Sequence, residues 1–301
     1  MDPTSALDGP TAPGPGPAPP MGLIEFFDFF SGRPTRDKRE TALASALLAE
    51  RLGYSRVWLP EHHERGVPST NPVPLVCVLG SHTSRIRVGT AVTLIRLRDP
   101  LLTAEDFATA SHFCGDRLDV GFGRGDVGGG AAADLAHLRK GDPDAAEAVR
   151  TVVSVLRDGR TWLEPLDTGY QGWLHGAGYR SAELAAEIGF NYCHALFFNP
   201  DIDACRTVVG KYRAAFPGGR TAVALTLVAN DDPETARADG TREGVRVNCA
   251  GPVRQCAETV RNVLALTGAD EVVIAELSTS GDDHLRALER LHGAVVGQLA
   301  A

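Results

Sequence analysis

The chain has 301 residues, 43% hydrophobic and 23% charged, with a formal net charge of −8. That length holds one large domain or two ordinary ones, and α/β barrels routinely use roughly 200–250 residues as a single domain. The acidic balance, with no basic stripe interleaved with aromatics, argues against nucleic acid, and no apolar run approaches the roughly 20 residues that span a bilayer.

In chain order, residues 1–20 come first, with proline at 3, 10, 13, 15, 17, 19 and 20 and small residues between. They lack the basic start and apolar core of a signal peptide and cannot build a core, so a disordered leader is expected, with the domain spanning 21–301. From Met21 onward short apolar runs alternate with segments of helical period, the signature of β/α units. Strands are predicted over 23–27, 55–59, 86–94, 118–122, 172–175, 191–197, 222–229 and 271–277. A helix over 36–52 follows the first, with Leu43, Ala46 and Leu47 on one face and Gly53 suited to a left-handed cap. Asp99-Pro100 and Gly251-Pro252 open later helices, where proline's missing N–H costs nothing. Eight strands alternating with eight helices predict a single (β/α)8 TIM-type barrel, shortened after its seventh strand. The six cysteines form no C-x-x-C pair and most lie among apolar residues, so they are expected to be reduced thiols of a cytoplasmic protein.

Barrel enzymes carry their chemistry on the loops after the strands' C-terminal ends, which directs attention to 60–71, 95–99, 123–142 and 176–179. The second strand runs into Pro60-Glu61-His62-His63-Glu64, two imidazoles flanked by acids. Adjacent residues leaving a strand point to opposite sides, so one histidine can face a pocket while a carboxylate holds the other. A zinc site stays open as an alternative, although H-E-x-x-H spacing is absent, as does a plain surface pair. After the fourth strand, Gly123, Gly125 and Gly128 match G-x-G-x-x-G in letters only. A dinucleotide fingerprint belongs after the first strand of its unit, so the glycines read better as room for a flat ligand, with Arg124 as a cation beside it. The alternative there is a flexible loop with a solvated arginine. The fifth strand ends in Gly176-Ala177-Gly178-Tyr179-Arg180-Ser181, small residues entering a helix whose N-terminal N–H groups suit a phosphate.

Together these segments resemble the bacterial-luciferase-like, flavin-dependent monooxygenases. The resemblance rests on A-E-R-L-G-Y-S-R-V-W-L-P-E-H-H at 49–63, T-S-R-I-R-V-G-T-A-V at 83–92, D-P-L-L-T-A-E-D-F at 99–107 and R-L-D-V-G-F-G-R-G at 117–125, and it continues through 173–195 and 251–277. It implies a barrel that binds reduced flavin mononucleotide (FMN), supplied by a separate reductase, and uses it with dioxygen on a small organic substrate. It makes His62 the catalytic histidine and Arg124 a phosphate contact. It also puts Ala177, Gly178 and Ser181 at the phosphate turn and Val78 and Ala91 beside the flavin ring. It further implies pairing, as a homodimer or heterodimer, through helices flanking the early strands. The chain departs from the pattern at Gly178 and Arg180, where relatives often carry small hydroxyl residues, and at 230–250, which is expected to join the seventh strand directly to the next helix where full-length relatives insert a lid. These departures keep three alternatives open: a deazaflavin-dependent oxidoreductase, a non-catalytic flavin-binding or partner subunit, and a lyase or isomerase that has lost its cofactor.

Overall fold

Among the described residues ten strands form one sheet: β1 (Met21–Ile24), β2 (Arg56–Leu59), β3 (Arg87–Thr90), β4 (Thr93–Leu94), β5 (Leu118–Gly123), β6 (Gln171–Gly176), β7 (Asn191–Ala195), β8 (Thr221–Ala229), β9 (Cys249–Gly251) and β10 (Glu271–Glu276). The computed structural model describes residues 20–26, 32–64, 66–124, 129–135, 144–241 and 246–297; the predicted leader lies outside these apart from Pro20. The strands pair in parallel in the order β10-β1-β2-β3-β5-β6-β7-β8, and a six-residue β8–β10 register closes the ring. The predicted closed eight-stranded barrel is therefore present, and every principal strand ends at the same mouth.

Among the described residues ten α-helices accompany the sheet: α1 (Thr35–Leu52), α2 (Pro72–His82), α3 (Pro100–Cys114), α4 (Gly129–Asp134), α5 (Ala145–Asp158), α6 (Tyr179–Ile188), α7 (Ile202–Ala215), α8 (Pro233–Gly240), α9 (Val253–Thr267) and α10 (Gly281–Gly297). Their ends follow local chemistry. Gly53 closes α1 at φ 92°, a conformation that costs other residues strain, and the Asp99 carboxylate accepts from the N–H groups of Leu101 and Leu102 at 2.8 and 3.1 Å to open α3. Alternation along each strand separates two cores. Val57, Leu59, Val120 and Leu225 pack outward against the helices, while Ile24, Trp58, Trp173, Cys193 and Ala275 fill the interior.

The floor of the barrel is ionic. Arg56 Nη1 donates to Asp119 at 2.5 Å and Arg56 Nε to Glu271 at 2.7 Å, all three buried. Arg87 Nε and the Trp58 indole N–H also donate to Asp119, at 2.7 and 2.8 Å. The guanidinium lies 5.1 and 4.6 Å from the rings of Trp58 and Trp173, which cap the network on the mouth side. Burial disfavours the charge on Arg56, and the two carboxylates more than reverse that, raising its pKa above the ordinary value.

Two expectations need correction. The strand predicted over 86–94 is broken: β3 ends at Thr90, the Ala91–Val92 peptide is cis, and Thr93–Leu94 re-enter the sheet beside β5. The re-entry is held by the Glu61 carboxylate, which accepts from Leu94 N at 3.0 Å. Nor does 230–250 run directly from strand to helix. It contains α8 and then β9, which pairs with the last three residues of β8, beyond the point where β7 ends.

Candidate active site

His62, Ala91, Arg124 and the 177–181 turn lie immediately beyond β2, β3, β5 and β6, so the closed parallel sheet brings all four to one mouth. The two adjacent histidines divide as alternation predicts. His63 Nε2 is 2.8 Å from Glu61 Oε1, and the other oxygen of that buried carboxylate accepts from Arg98 Nε at 2.9 Å. His62 stacks at a tilt on Phe26, ring centroids 5.2 Å apart, and its backbone N–H donates to Ser69 O at 3.1 Å. Burial, with neighbouring His63 adding to it, lowers the His62 pKa to about 4, so the ring is neutral at ordinary pH. Among the described residues no cluster of three His, Cys, Asp or Glu side chains could hold a metal ion.

At the next strand end the turn is open for an anion. The first turn of α6 has no side-chain cap and no acidic residue, leaving its N–H groups unclaimed by side chains. A side chain at Gly176 would strike the Ser181 hydroxyl, so glycine there lets Ser181 fold back over the turn. From beneath, the Tyr192 hydroxyl lies 3.4 Å from the carbonyl oxygens of both Gly176 and Gly178 and 3.0 Å from His194 Nδ1. Arg124 is exposed one residue past β5.

Other predicted residues fall differently. Ala91 packs against the interior cluster beside Phe26 and Phe197, where it can wall a ring. Val78 cannot do so: it sits in the second half of α2, on the outside of the barrel, 47% exposed, because that helix runs back from the mouth toward the floor. Gly123 is explained by protein rather than ligand, since a Cβ there would lie 2.8 Å from the Val92 side chain. Gly125 and Gly128 lie outside the described residues.

One interior residue escaped the sequence reading. His175 follows Trp173 by two along β6 and therefore points inward, edge-on to Trp58 with ring centroids 4.8 Å apart. Its Nε2 is buried without a hydrogen-bond partner, and burial followed by the Arg56 charge lowers its pKa to about 3. It is a neutral imidazole on the mouth side of the tryptophans, with one ring nitrogen unpaired among the described residues.

A further histidine, buried in the packing between barrel and helix, is structural. His284 joins Glu276 through Nδ1 at 2.7 Å and Glu25 through Nε2 at 3.1 Å, clasping the ends of β10 and β1 to α10. Burial opposes its charge, but Glu25 and then Glu276 raise its pKa to about 10. Its stabilising effect is whole below the unfolded value of 6.5 and is lost as pH rises toward 10. His62, His175 and His194, lowered to about 4, 3 and 4, act in the opposite sense, losing stability as pH falls below 6.5. Thermal unfolding followed across pH 4.5–9.5 should give a Tm maximum near pH ~6.5, with each histidine contributing up to ~1.4 kcal/mol per pH unit on its side. A Tm flat from neutrality to pH ~9.5 would contradict the charged His284 clasp.

Comparison with known proteins agrees with the barrel. Residues 21–271 match the profile of the luciferase-like monooxygenases. The chain belongs to that family. A luciferase-like monooxygenase of Escherichia coli is 30% identical over 192 residues, covering 60% of this chain but only 57% of its own length. N-acetyl-S-alkylcysteine monooxygenase of Bacillus subtilis is 24% identical over 72% of this chain and 70% of its own. Among solved structures, apo-MsnO8 superposes with a TM-score of 0.79 at 23% identity, over 92% of this chain and 98% of its own. The oxygenating constituent of 3,6-diketocamphane monooxygenase of Pseudomonas putida, solved with FMN, gives 0.72 at 18% over 93% and 98%. An F420-dependent secondary alcohol dehydrogenase gives 0.70 at 12% over 92% and 99%. At these identities the structural likenesses establish the barrel. Among the described residues, no helix is long and apolar enough to cross a membrane.

Proposed function

We propose that this chain is a monooxygenase that takes reduced FMN from a separate reductase and uses it with dioxygen to oxygenate a small organic substrate. The observation that carries the reading is the uncapped first turn of α6 sharing one barrel mouth with exposed Arg124 and a neutral His62. Ala177, Gly178 and Ser181 would receive the phosphate, with Arg124 as counter-charge, and Ala91 would face the ring. The flavin, when bound, supplies the oxidising chemistry. The protein's share is to orient it, to exclude water with Phe26 and Phe197 at the rim of the interior cluster, and to offer His62 and His175 as uncharged hydrogen-bonding groups.

Fluorescence titration with FMN tests this directly. Arg124→Ala should raise the FMN Kd about tenfold, the worth of one charge-assisted phosphate contact, while riboflavin, which lacks the phosphate, should bind both proteins alike. Equal FMN affinity in the two proteins would remove Arg124 from the site. The second reading, a deazaflavin-dependent oxidoreductase, is favoured by Arg180, an extra exposed cation on the turn suited to a more anionic cofactor; parallel titration with a deazaflavin separates the two. A dimer is part of the proposal. Leu47, Val78, Leu102 and Phe113 are 41–60% exposed on α1, α2 and α3, beside the early strands, and supply apolar surface for a second copy or a related chain, which light scattering would detect.

A further inference from the structure

We propose that Cys249 and Cys256 form a peroxide-reactive dithiol that closes to an intramolecular disulfide, stapling β9 to α9 beside the barrel mouth. Cys249 is the first residue of β9 and Cys256 lies in the opening turns of α9. Their sulfur atoms are 3.7 Å apart, and both thiols are free. A disulfide needs a separation near ~2.05 Å, so the pair must close by about 1.7 Å, within the reach of side-chain rotation and small backbone adjustment. Cys256 Sγ also lies 3.6 and 3.7 Å from the carbonyl oxygens of Val228 and Gly251, which keep the thiol at the junction of β8, β9 and α9.

The chemistry of the two sulfurs is unequal. Cys256 donates its S–H to Cys249, and with Thr259 adding a second hydrogen bond the Cys249 pKa falls to about 6 against the opposing effect of burial. The same interaction pushes Cys256 up. Burial raises Cys114 and Cys205 to about 12 and also raises Cys77 and Cys193, so those four thiols stay protonated at neutral pH. Cys249, which accepts the S–H of Cys256 and is the less buried of the two, is the sulfur placed to attack as a thiolate.

Hydrogen peroxide is the oxidant, and the reaction has two steps. The Cys249 thiolate attacks one peroxide oxygen, the O–O bond breaks, and water leaves with one added proton, giving the sulfenic acid. The Cys256 sulfur then attacks Cys249 Sγ, the S–O bond breaks, and the thiol proton leaves with the hydroxyl as a second water. Two electrons pass from the sulfurs to peroxide. Both cysteines are buried, Cys249 slightly less so, and the neighbouring Ala250, Gly251, Pro252 and Gln255 line a surface cavity of about 370 Å³ together with Arg237 and Gly240 of α8, from which peroxide, little larger than water, would approach. The consequence is local to the mouth. Val247 and Ala250 pack on the interior cluster and Asn248 Nδ2 donates to Leu196 O at 3.2 Å, so the stapled strand is part of the roof over β7 and β8.

The test uses the whole protein and no flavin, so its outcome is independent of the oxygenase reading. Wild-type protein treated with hydrogen peroxide should lose two of its six thiols and about 2 Da of mass, both restored by dithiothreitol. Trypsin cuts at Arg254, between the two cysteines, so the product should appear as a linked pair of peptides, 247–254 with 255–261. In Cys256→Ser, Cys249 should instead accumulate as the sulfenic acid and be trapped by dimedone. Retention of all six thiols, or further oxidation of Cys249 with Cys256 still reduced, would overturn the proposal.

Discussion

Arg56→Met should cost the barrel at least ~3 kcal/mol and bring it to the edge of unfolding, since native domains are stable by only ~5–15 kcal/mol. Among the described residues Arg56 is the sole group joining Asp119 to Glu271 in the floor network, and all three side chains are sealed from solvent. Methionine fills much of the same volume, so the loss is one of charge and not of packing. Glu271 would keep only Ser55 and a 3.3 Å contact with Arg220. Asp119 would keep Arg87 and the Trp58 indole. Removing one partner of a buried pair strands the other charge, at ~3–5 kcal/mol, and here two carboxylates share the loss. Arg56→Lys should fall between, because an ammonium is a single point and cannot serve two acceptors through Nε and Nη1 at once. Urea unfolding monitored by circular dichroism reads the difference. A methionine variant within ~1 kcal/mol of wild type would mean the carboxylates take up protons or water and the floor is not a fixed ionic plug.

That floor network also marks what a sequence can and cannot disclose. Strand 56–59 is legible because Val57 and Leu59 alternate with Arg56 and Trp58, yet a two-residue period cannot tell whether the polar member faces solvent or a barrel interior. Asp119 lies 63 residues from Arg56 and Glu271 lies 215 from it, so only closure of the ring makes them neighbours. The break after Thr90 was invisible for the same reason, since Glu61 holds Leu94 across 33 residues. Strand β9 is three residues long and exists because β8 overhangs β7, a fact of register with no local signature. The mouth itself was readable, because strand ends carry their punctuation: His62 after Pro60, Arg124 after the glycine of β5, and Ser181 in an uncapped helix start. Val78 misled because position along a helix does not say which side of the sheet the helix covers. His175 was within reach of the pattern, two residues past an inward tryptophan; what marks it out is the unpaired nitrogen, which requires coordinates.

His62→Ala should lower turnover about a hundredfold or more, the span that a positioned proton-transfer group commands, while leaving the FMN Kd within about threefold of wild type. The distinction matters because His62 has two possible uses. Were it mainly a wall of the pocket, through its stack on Phe26, truncation would loosen the cofactor and raise Kd and KM before it touched kcat. If it moves or holds a proton, kcat falls alone. The pH profile supplies an independent reading. With its pKa lowered to about 4, the ring is neutral through the range from pH 5 to 8, so wild-type kcat should show no limb near 6.5 and should fall only on approach to pH 4. The measurement is substrate turnover with FMN kept reduced by a reductase, alongside FMN titration and thermal unfolding of the same preparations. A kcat limb at pH ~6.5 that disappears in His62→Ala would show a solvated ring in place of a buried one, and an unchanged kcat would end its catalytic role. His175→Phe serves as the control from the same interior: it keeps the aromatic contact with Trp58 but removes both ring nitrogens. A loss confined to His62→Ala assigns the proton to the strand-end histidine, and a matching loss in both would move it to the pair.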